Sequence, residues 1–273
     1  MPNLINHNQQ TQLYLSLSAY GGVTTREALT TFWQAGIRHV ELAIGPKPDA
    51  DASLAIRDFQ QLGMVYRAHH AFVWESYHTP FNLAERFDYE HFVKLTDWLA
   101  DYGITAYSVH GGNYRNDSKI DAYAKFIENI YKLHLLCQER DIILGVETMY
   151  AMPPGSPSQN LLDNSEDIKQ FCKDAKEIKL VVDLAHLNIW HRNSIEEKLE
   201  ILKILPQDIL EIHISDNDGM RDIHSPITDK TWWLPWIEMV PVEVPLVLES
   251  RMNRLQPQEI NSTYNEVIKL FAA

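Results

Sequence analysis

Eight short apolar segments alternate with longer amphipathic segments along the sequence. The short segments show no two-residue alternation of apolar and polar residues, which is typical of strands buried on both faces of a parallel sheet. The longer segments repeat their apolar residues at helical spacing, as Phe126, Ile130 and Leu133 do. The pattern predicts strands at 14–18, 39–43, 65–70, 106–110, 142–147, 179–183, 210–213 and 245–249.

A helix is predicted after each strand, at 24–36, 51–63, 89–102, 121–140, 165–174, 194–204, 232–239 and 256–271. Thr24 and Glu27 have the spacing of a capping box at the start of the first helix. Eight strand–helix units without a dividing linker predict an α/β fold, a (β/α)8 TIM barrel in one domain over 1–273, with 1–12 as a flexible tail. An open doubly wound sheet is the alternative, although residues 18–22 match its Gly-rich phosphate loop poorly.

The composition narrows the functional classes. A formal net charge of −13 disfavours a nucleic-acid partner, because phosphate contacts need clustered lysine and arginine. No apolar stretch approaches the roughly 20 residues that cross a bilayer, and the polar first residues do not resemble a signal peptide. Cys137 and Cys172 lack CxxC spacing, which favours a reducing compartment. We therefore expect a cytoplasmic protein that does not contact a membrane.

Ionisable side chains end most of the predicted strands. In a barrel these strand ends converge on one mouth, where active sites lie. A single Glu at a strand end is more often a capping or salt-bridge partner, but five consecutive strands ending in Glu, Asp or His form a pattern. Buried carboxylates cost several kcal/mol each unless paired or coordinated, so this ring predicts a cation. Carboxylate and imidazole together suit Zn²⁺ or Mn²⁺.

These residues resemble the metal site of the xylose-isomerase-like TIM barrel superfamily, which includes sugar phosphate isomerases and epimerases and endonuclease IV. The four usual ligands of that superfamily, from strands five to eight, match Glu147, Asp183, His213 and Glu249. Its Asp-x-x-His motif matches Asp183-Leu-Ala-His186. The resemblance covers nearly the whole chain.

Further motifs extend the expected ligand set. Asp222-Ile-His224 matches the Asp-x-His of the loop after strand seven. Histidines that end strands three and four are matched by His70 and His110. His70 is preferred to His69 because His70-Ala-Phe resembles the His-Ala-Pro of the superfamily. With these residues, the resemblance implies nine metal ligands: His70, His110, Glu147, Asp183, His186, His213, Asp222, His224 and Glu249.

The resemblance implies a divalent-metal-dependent isomerase or epimerase of a sugar, sugar phosphate or polyol. In such enzymes the metal holds vicinal substrate oxygens and stabilises an enediolate, while two carboxylates exchange the proton. Here Glu147 and Glu249 would exchange it, and His186 would polarise a carbonyl or hydroxyl. Arg251 would hold an anionic end. The residues expected to face the substrate are His69, Asp216, Arg251, Trp232 and Trp233.

The sequence of the loop after strand seven favours the isomerase branch of the superfamily. His213-Ile-Ser-Asp216-Asn-Asp-Gly219 resembles the sugar phosphate isomerase and epimerase motif. The usual Gly-x-Gly continuation is missing, because residues 225–233 run from serine to two tryptophans. A phosphate cradle is therefore in doubt, and the tryptophans are expected to line the mouth instead.

Two other functions remain open at this point. The same nine positions serve the three-zinc site of endonuclease IV, so the alternative is a zinc-dependent phosphodiester hydrolase acting on abasic DNA, in which the metals would activate a water and clamp the phosphate. A barrel that binds a metal and a small ligand without turnover is the third reading. The expected cofactor is Zn²⁺, Mn²⁺ or Mg²⁺, with one to three ions bound. The expected partner is a carbohydrate-like small molecule. Barrels of this family often form homodimers.

Overall fold

The protein is described by a computed structural model over residues 12–74, 80–115, 117–189, 194–204 and 206–272. The predicted N-terminal tail lies outside the described residues, apart from Gln12. Eight parallel strands close into a barrel in which each strand pairs with its neighbours in the chain and the last pairs with the first. The predicted (β/α)8 barrel is confirmed. Its strands are β1 (Leu13–Ser16), β2 (His39–Leu42), β3 (Val65–His69), β4 (Ala106–His110), β5 (Ile143–Glu147), β6 (Lys179–Asp183), β7 (Ile209–Ile214) and β8 (Leu246–Leu248).

Helices flank the barrel, and seven of the eight predicted ones are present. The capping box is formed at the first of them: the Thr24 hydroxyl accepts from the Glu27 N–H, and the Thr24 N–H donates to the Glu27 carboxylate. None of the helices in the described residues is long and apolar enough to cross a membrane. The helices are α1 (Thr25–Gln34), α2 (Ala52–Gln61), α3 (Tyr89–Asp101), α4 (Lys119–Gln138), α5 (Ser165–Asp174), the unpredicted α6 (Leu184–Asn188), α7 (Ile195–Leu202) and α8 (Pro257–Leu270).

The segment between β7 and β8 differs from the prediction. The α-helix expected at 232–239 is a 3-10 helix, Leu234–Met239, kinked at Trp236. Pro235 fits only the first turn, because proline has no N–H to donate. Two further 3-10 helices, Leu17–Tyr20 and Pro206–Asp208, and a small antiparallel sheet of Asn113–Tyr114 with Gln159–Asn160 were not predicted.

The barrel interior is layered, since alternate residues of each strand face inward. At the N-terminal end the layer is apolar, with Ala106, Val181 and Leu210 in contact. Gly145 of β5 adjoins this layer, and a Cβ there would lie 2.7 Å from Leu210 Cδ2, so a larger residue would displace its neighbours. Toward the C-terminal strand ends the inward residues become ionisable, and these build the site.

Candidate metal centre

Four side chains from consecutive strands meet at the C-terminal mouth of the barrel. Glu147 ends β5, Asp183 ends β6, His213 lies near the end of β7, and Glu249 directly follows β8. Strand register places Asp183 beside His213. Each residue offers a ligand atom within 4.8 Å of the others. All four residues are buried, from 0% exposed for Asp183 and His213 to 4% for Glu249.

Several polar atoms of this group lack a hydrogen-bond partner. Glu147 Oε2, Asp183 Oδ2 and His213 Nδ1 are buried and have no hydrogen-bond partner among the described residues. His213 Nδ1 lies 3.1 Å from Glu147 Oε1 and 3.4 Å from Glu249 Oε2. Unpartnered buried acceptors are costly, and three carboxylates repel one another at this range. A divalent cation fits this donor set because it would satisfy these atoms and offset their charge.

The pKa values within the group are shifted in opposite directions. Burial acts to raise the pKa of Glu147, but attraction to the neighbouring histidines, with His69 foremost, outweighs burial and lowers it to about 2. Burial raises the pKa of Asp183 to about 6, supported by repulsion from Glu147 and Glu249. Burial acts to lower the pKa of His213, but the surrounding carboxylates, led by Glu249, hold it well above its ordinary value. The group therefore retains protons that a cation would displace.

The structure reverses the order of preference between His69 and His70. Arg67 and His69 lie two residues apart on β3 and both face inward, so His69 Nε2 reaches 3.0 Å from His110 Nε2 and 3.6 Å from Glu147 Oε2. His69, His110 and Glu147 form a second group with ligand atoms within 4.8 Å. His70 follows the strand with a positive φ of 45° and stacks on the His110 ring instead. Burial lowers the pKa of His70 to about 3.

His186, Asp222 and His224 form an adjoining set of ion pairs. Asp222 Oδ2 lies 3.5 Å from His186 Nε2 and 3.3 Å from His224 Nε2. His186 Nδ1 lies 2.7 Å from the Thr148 carbonyl oxygen, which fixes the proton on Nδ1 and turns Nε2 toward Asp222. Burial would lower the pKa of His224, but its bond to Asp222 and attraction to Glu249 raise it to about 9. His224 also has a positive φ of 48°, which is uncommon outside glycine.

The residues predicted to face the substrate lie in different surroundings and do not line one common surface. The expectation that Trp233 lines the mouth is wrong, because its side chain is 0% exposed, stacks on Phe271 and donates its indole N–H to the Ser215 carbonyl. Trp232 is half-buried and donates to the Leu184 carbonyl. Asp216 accepts from the Thr231 hydroxyl at 2.7 Å and organises the loop rather than the ligand groups. Arg251 is exposed.

A layer of charged residues beneath the mouth was missed by the sequence reasoning. Glu41 of β2 and Glu211 of β7 are 0% and 1% exposed, and Arg67 of β3 is 8% exposed. The Arg67 guanidinium pairs with the Glu211 carboxylate and donates to the Leu210 carbonyl at 3.0 Å. His213 Nε2 lies 3.2 Å from Glu41 Oε2. The signal is two-residue spacing, because Arg67 and Glu211 each precede an inward-facing histidine by two positions.

Comparison with known proteins gives the same architecture. A model of the xylose isomerase-like TIM barrel family matches residues 33–256. A D-tagatose 3-epimerase-like protein is 15% identical, with 96% of this chain and 100% of that chain covered and a TM-score of 0.72. D-allulose 3-epimerase from Methylomonas sp., in complex with D-allulose, is 14% identical over 95% and 97% of the chains, with a TM-score of 0.67. 3-Keto-D-glucoside 4-epimerase from E. coli is 13% identical over 95% and 99%, with a TM-score of 0.66. No curated protein sequence matches the chain significantly.

Proposed function

Because the chain belongs to the xylose isomerase-like TIM barrel family, we propose that it is a metal-dependent epimerase or isomerase of a sugar. The observation that carries the proposal is the convergence of Glu147, Asp183, His213 and Glu249, whose ligand atoms lie within 4.8 Å of one another. Glu147 Oε2, Asp183 Oδ2 and His213 Nδ1 are buried without a hydrogen-bond partner among the described residues, which supports the binding of a divalent cation there. The bound cation would polarise the substrate carbonyl and acidify the neighbouring C–H.

Proton transfer falls to Glu147 and Glu249. Both carboxylates lie next to the same nitrogen, His213 Nδ1, so a substrate bound at this point would have a carboxylate within reach on more than one side. One carboxylate removes the proton from carbon and the other returns it, which inverts the centre in an epimerase. The Glu249 carboxylate also accepts a hydrogen bond from the Ser18 hydroxyl at 3.2 Å, which orients it. His186, held through Nδ1 by the Thr148 carbonyl, would donate from Nε2 to a substrate oxygen that enters beside Asp222, which lies 3.5 Å from that nitrogen.

The second ligand group leaves room for more than one ion. His69, His110 and Glu147 share Glu147 with the first group, so its two oxygens could serve two cations. We propose one ion at the four-residue group as the minimum for activity, with Mn²⁺, Zn²⁺ or Mg²⁺ as candidates. The role of Asp222 and His224 as further ligands stays part of this proposal, with His69 rather than His70 as the ligand from β3.

The substrate class is supported by the names of the similar structures. They include a D-tagatose 3-epimerase-like protein, a D-allulose 3-epimerase and a 3-keto-D-glucoside 4-epimerase. We therefore propose a ketose or keto sugar whose carbonyl adjoins the centre that is inverted. The substrate-facing roles proposed for His69, Asp216, Trp232 and Arg251 belong with this site, Arg251 only for a substrate long enough to reach the exposed rim.

The test is proton exchange at carbon. The purified chain, loaded with Mn²⁺, is incubated in D2O with D-allulose, D-tagatose or L-ribulose, and NMR follows deuterium uptake beside the carbonyl together with epimer formation. Metal-dependent uptake with at least one of these ketoses is expected, and EDTA should abolish it. Absence of both exchange and epimer formation with all three ketoses and with a 3-keto-glucoside would overturn the proposal.

The hydrolase alternative has its own assay. An abasic-site duplex is incubated at low salt with the zinc-loaded chain, and strand nicking is measured on a gel. The net charge of −13 predicts weak association with DNA, so no cleavage above the metal-only background is expected. Robust metal-dependent nicking would favour the endonuclease IV reading over the epimerase.

Metal binding should release protons and weaken in acid. The pKa of Asp183 is raised to about 6 and that of His213 well above its ordinary value, so both hold protons that a ligand must lose. At pH 7 the cation displaces the His213 proton, and below pH 6 it must displace the Asp183 proton as well. The dissociation constant of Mn²⁺ should therefore rise by about tenfold per pH unit for each competing proton. Isothermal titration between pH 5 and 8 in buffers of different ionisation enthalpy measures this, and a pH-independent affinity would contradict it.

A further inference from the structure

We propose that Glu41 positions His213 by accepting a hydrogen bond from its Nε2–H, so that Nδ1 is presented to the metal. Glu41 would then complete a carboxylate–histidine–metal arrangement in the floor of the barrel. The inference rests on the proposed metal centre and adds a residue from β2, a strand that contributes nothing to the ligand groups at the mouth.

The geometry places the His213 ring between two sets of carboxylates. On the mouth side, Nδ1 lies 3.1 Å from Glu147 and 3.4 Å from Glu249. On the floor side, Nε2 lies 3.2 Å from Glu41 Oε2. Glu41 and His213 are both 0% exposed. Neither carboxylate oxygen of Glu41 has a hydrogen-bond partner among the described residues, and the Nε2 atom of His213 has none either. At this distance a rotation of the ring that turned the N–H toward the carboxylate would satisfy both groups.

A second cation on the floor side is the competing explanation, because Glu41, His69 and His213 also place ligand atoms within 4.8 Å. The chemistry of imidazole argues against it. A neutral histidine that coordinates a metal through Nδ1 carries its remaining proton on Nε2, and that nitrogen is then a donor with no lone pair to offer. Glu41 therefore faces an N–H rather than a coordinating nitrogen.

Glu211 is the other carboxylate near this nitrogen, with Oε1 at 3.5 Å from Nε2. Its Oε2 is already paired with the Arg67 guanidinium, which lowers the pKa of Glu211 despite the opposing effect of burial. Among the residues that the structure describes, no lysine or arginine pairs with Glu41. The carboxylate of Glu211 is therefore engaged in its ion pair with Arg67, whereas the carboxylate of Glu41 is available to orient His213.

A carboxylate behind a ligating histidine fixes its tautomer and its ring angle and increases its basicity. In metal sites of this type, loss of such a partner typically weakens metal binding by about 10- to 100-fold. The same substitution removes a buried carboxylate for which the described residues offer no hydrogen bond, so it should not weaken the metal-free fold. This combination separates a positioning role from a purely structural one.

The experiment compares Co²⁺ binding by the full-length native chain and the Glu41→Gln variant. Titration followed by the visible absorption bands of Co²⁺ gives the dissociation constant and the ligand field, and thermal unfolding in EDTA gives the stability of the metal-free fold. We expect Glu41→Gln to raise the Co²⁺ dissociation constant by about 10- to 100-fold, with an unfolding temperature in EDTA equal to or above that of the native chain. Glu41→Asp, which keeps the charge, should recover part of the affinity, and Glu243→Gln, at an exposed glutamate, should change neither quantity.

The outcomes distinguish this inference from the proposed function. If the native chain binds no Co²⁺, the proposed metal centre fails and the positioning role fails with it. If native and Glu41→Gln chains bind Co²⁺ equally, only the positioning role is overturned. Should Glu41→Gln not fold, ¹⁵N NMR of histidine-labelled native chain loaded with Zn²⁺ still decides: a proton on His213 Nε2 is expected, and a proton on Nδ1 would overturn the inference.

Discussion

Replacing Glu249 by glutamine should lower the epimerisation rate by about 10²- to 10⁴-fold at saturating metal, the usual contribution of a positioned acid or base. Glutamine keeps the length of the side chain and an oxygen that can ligate, but it cannot take up or return a proton. Glu147→Gln should have an effect of the same order. Because the pKa of Glu147 is lowered to about 2, its carboxylate is ionised at neutral pH before substrate binds.

The measurement has two parts. Turnover is followed with a ketose that the native chain accepts, and the same samples are analysed for bound metal after gel filtration. Glu243→Gln is the matched control, because Glu243 is exposed and precedes β8 at its N-terminal end, the opposite end of the barrel from Glu249. If Glu249→Gln retained the metal and exchanged the substrate C–H proton at the native rate, the role assigned to Glu249 would be wrong.

The meeting of Glu147, Asp183, His213 and Glu249 could be predicted from the sequence because parallel strands in a barrel end at the same mouth. No pairing information was needed, since the closed barrel makes each strand adjacent to the next. Register adds the finer detail: Asp183 pairs with His213, and His110 pairs with Glu147. The residues at the strand ends thus predict which four side chains meet, and the closure of the barrel determines the distances between their ligand atoms.

The choice between His69 and His70 depends on which of the two neighbours points into the barrel, because successive residues of a strand face opposite sides of the sheet. β3 ends at His69, in phase with Arg67, and the chain turns away at His70 through a positive φ. Only a one-residue shift in the register of β3 would have exchanged the faces on which the two rings lie. The motif comparison favoured His70 because it relied on the two residues that follow His70. It did not consider which residues of β3 face the barrel interior.

The inner charged layer was missed for a different reason. Glu41, Arg67 and Glu211 lie within apolar strands, where an occasional charged residue is readily taken for one that faces outward. Their burial becomes visible only when the strands are closed and their side chains compared across the barrel. Trp233 shows the same limit, because its packing on Phe271 joins two segments with no common periodicity.

Replacing Arg67 by methionine should lower the free energy of unfolding by about 3–5 kcal/mol, because it leaves the carboxylate of Glu211 buried without its cation. Arg67 also donates to the Leu210 carbonyl at 3.0 Å, and that acceptor loses its side-chain donor. Its guanidinium carbon lies 5.3 Å from the centre of the Tyr14 ring, so packing against the aromatic face is lost as well. Denaturation by guanidinium chloride in EDTA, which excludes metal effects, measures the change.

Two variants show which part of the loss is due to the unpaired charge. Arg26→Met removes an arginine whose salt bridge with Asp58 is exposed, and it should cost less than about 1 kcal/mol. Arg67→Met combined with Glu211→Leu replaces both charged partners by apolar side chains. The double variant should regain much of the stability lost in the single one, since burying neither charge is often no worse than burying the pair.

The loss of stability in the Arg67→Met variant should depend on pH, and the direction of that dependence follows from the pKa of Glu211. Arg67 lowers the pKa of Glu211, so the stability contributed by the pair is fully present above the ordinary glutamate pKa and is lost as pH falls through the lowered value. Without Arg67, burial favours the protonated form of Glu211, so the deficit of the Arg67→Met variant should be largest near neutral pH and should shrink in acid. A deficit that stayed constant from pH 7 to pH 4 and persisted in the double variant would show that Arg67 acts through packing, and that its charge does not hold Glu211 in the barrel.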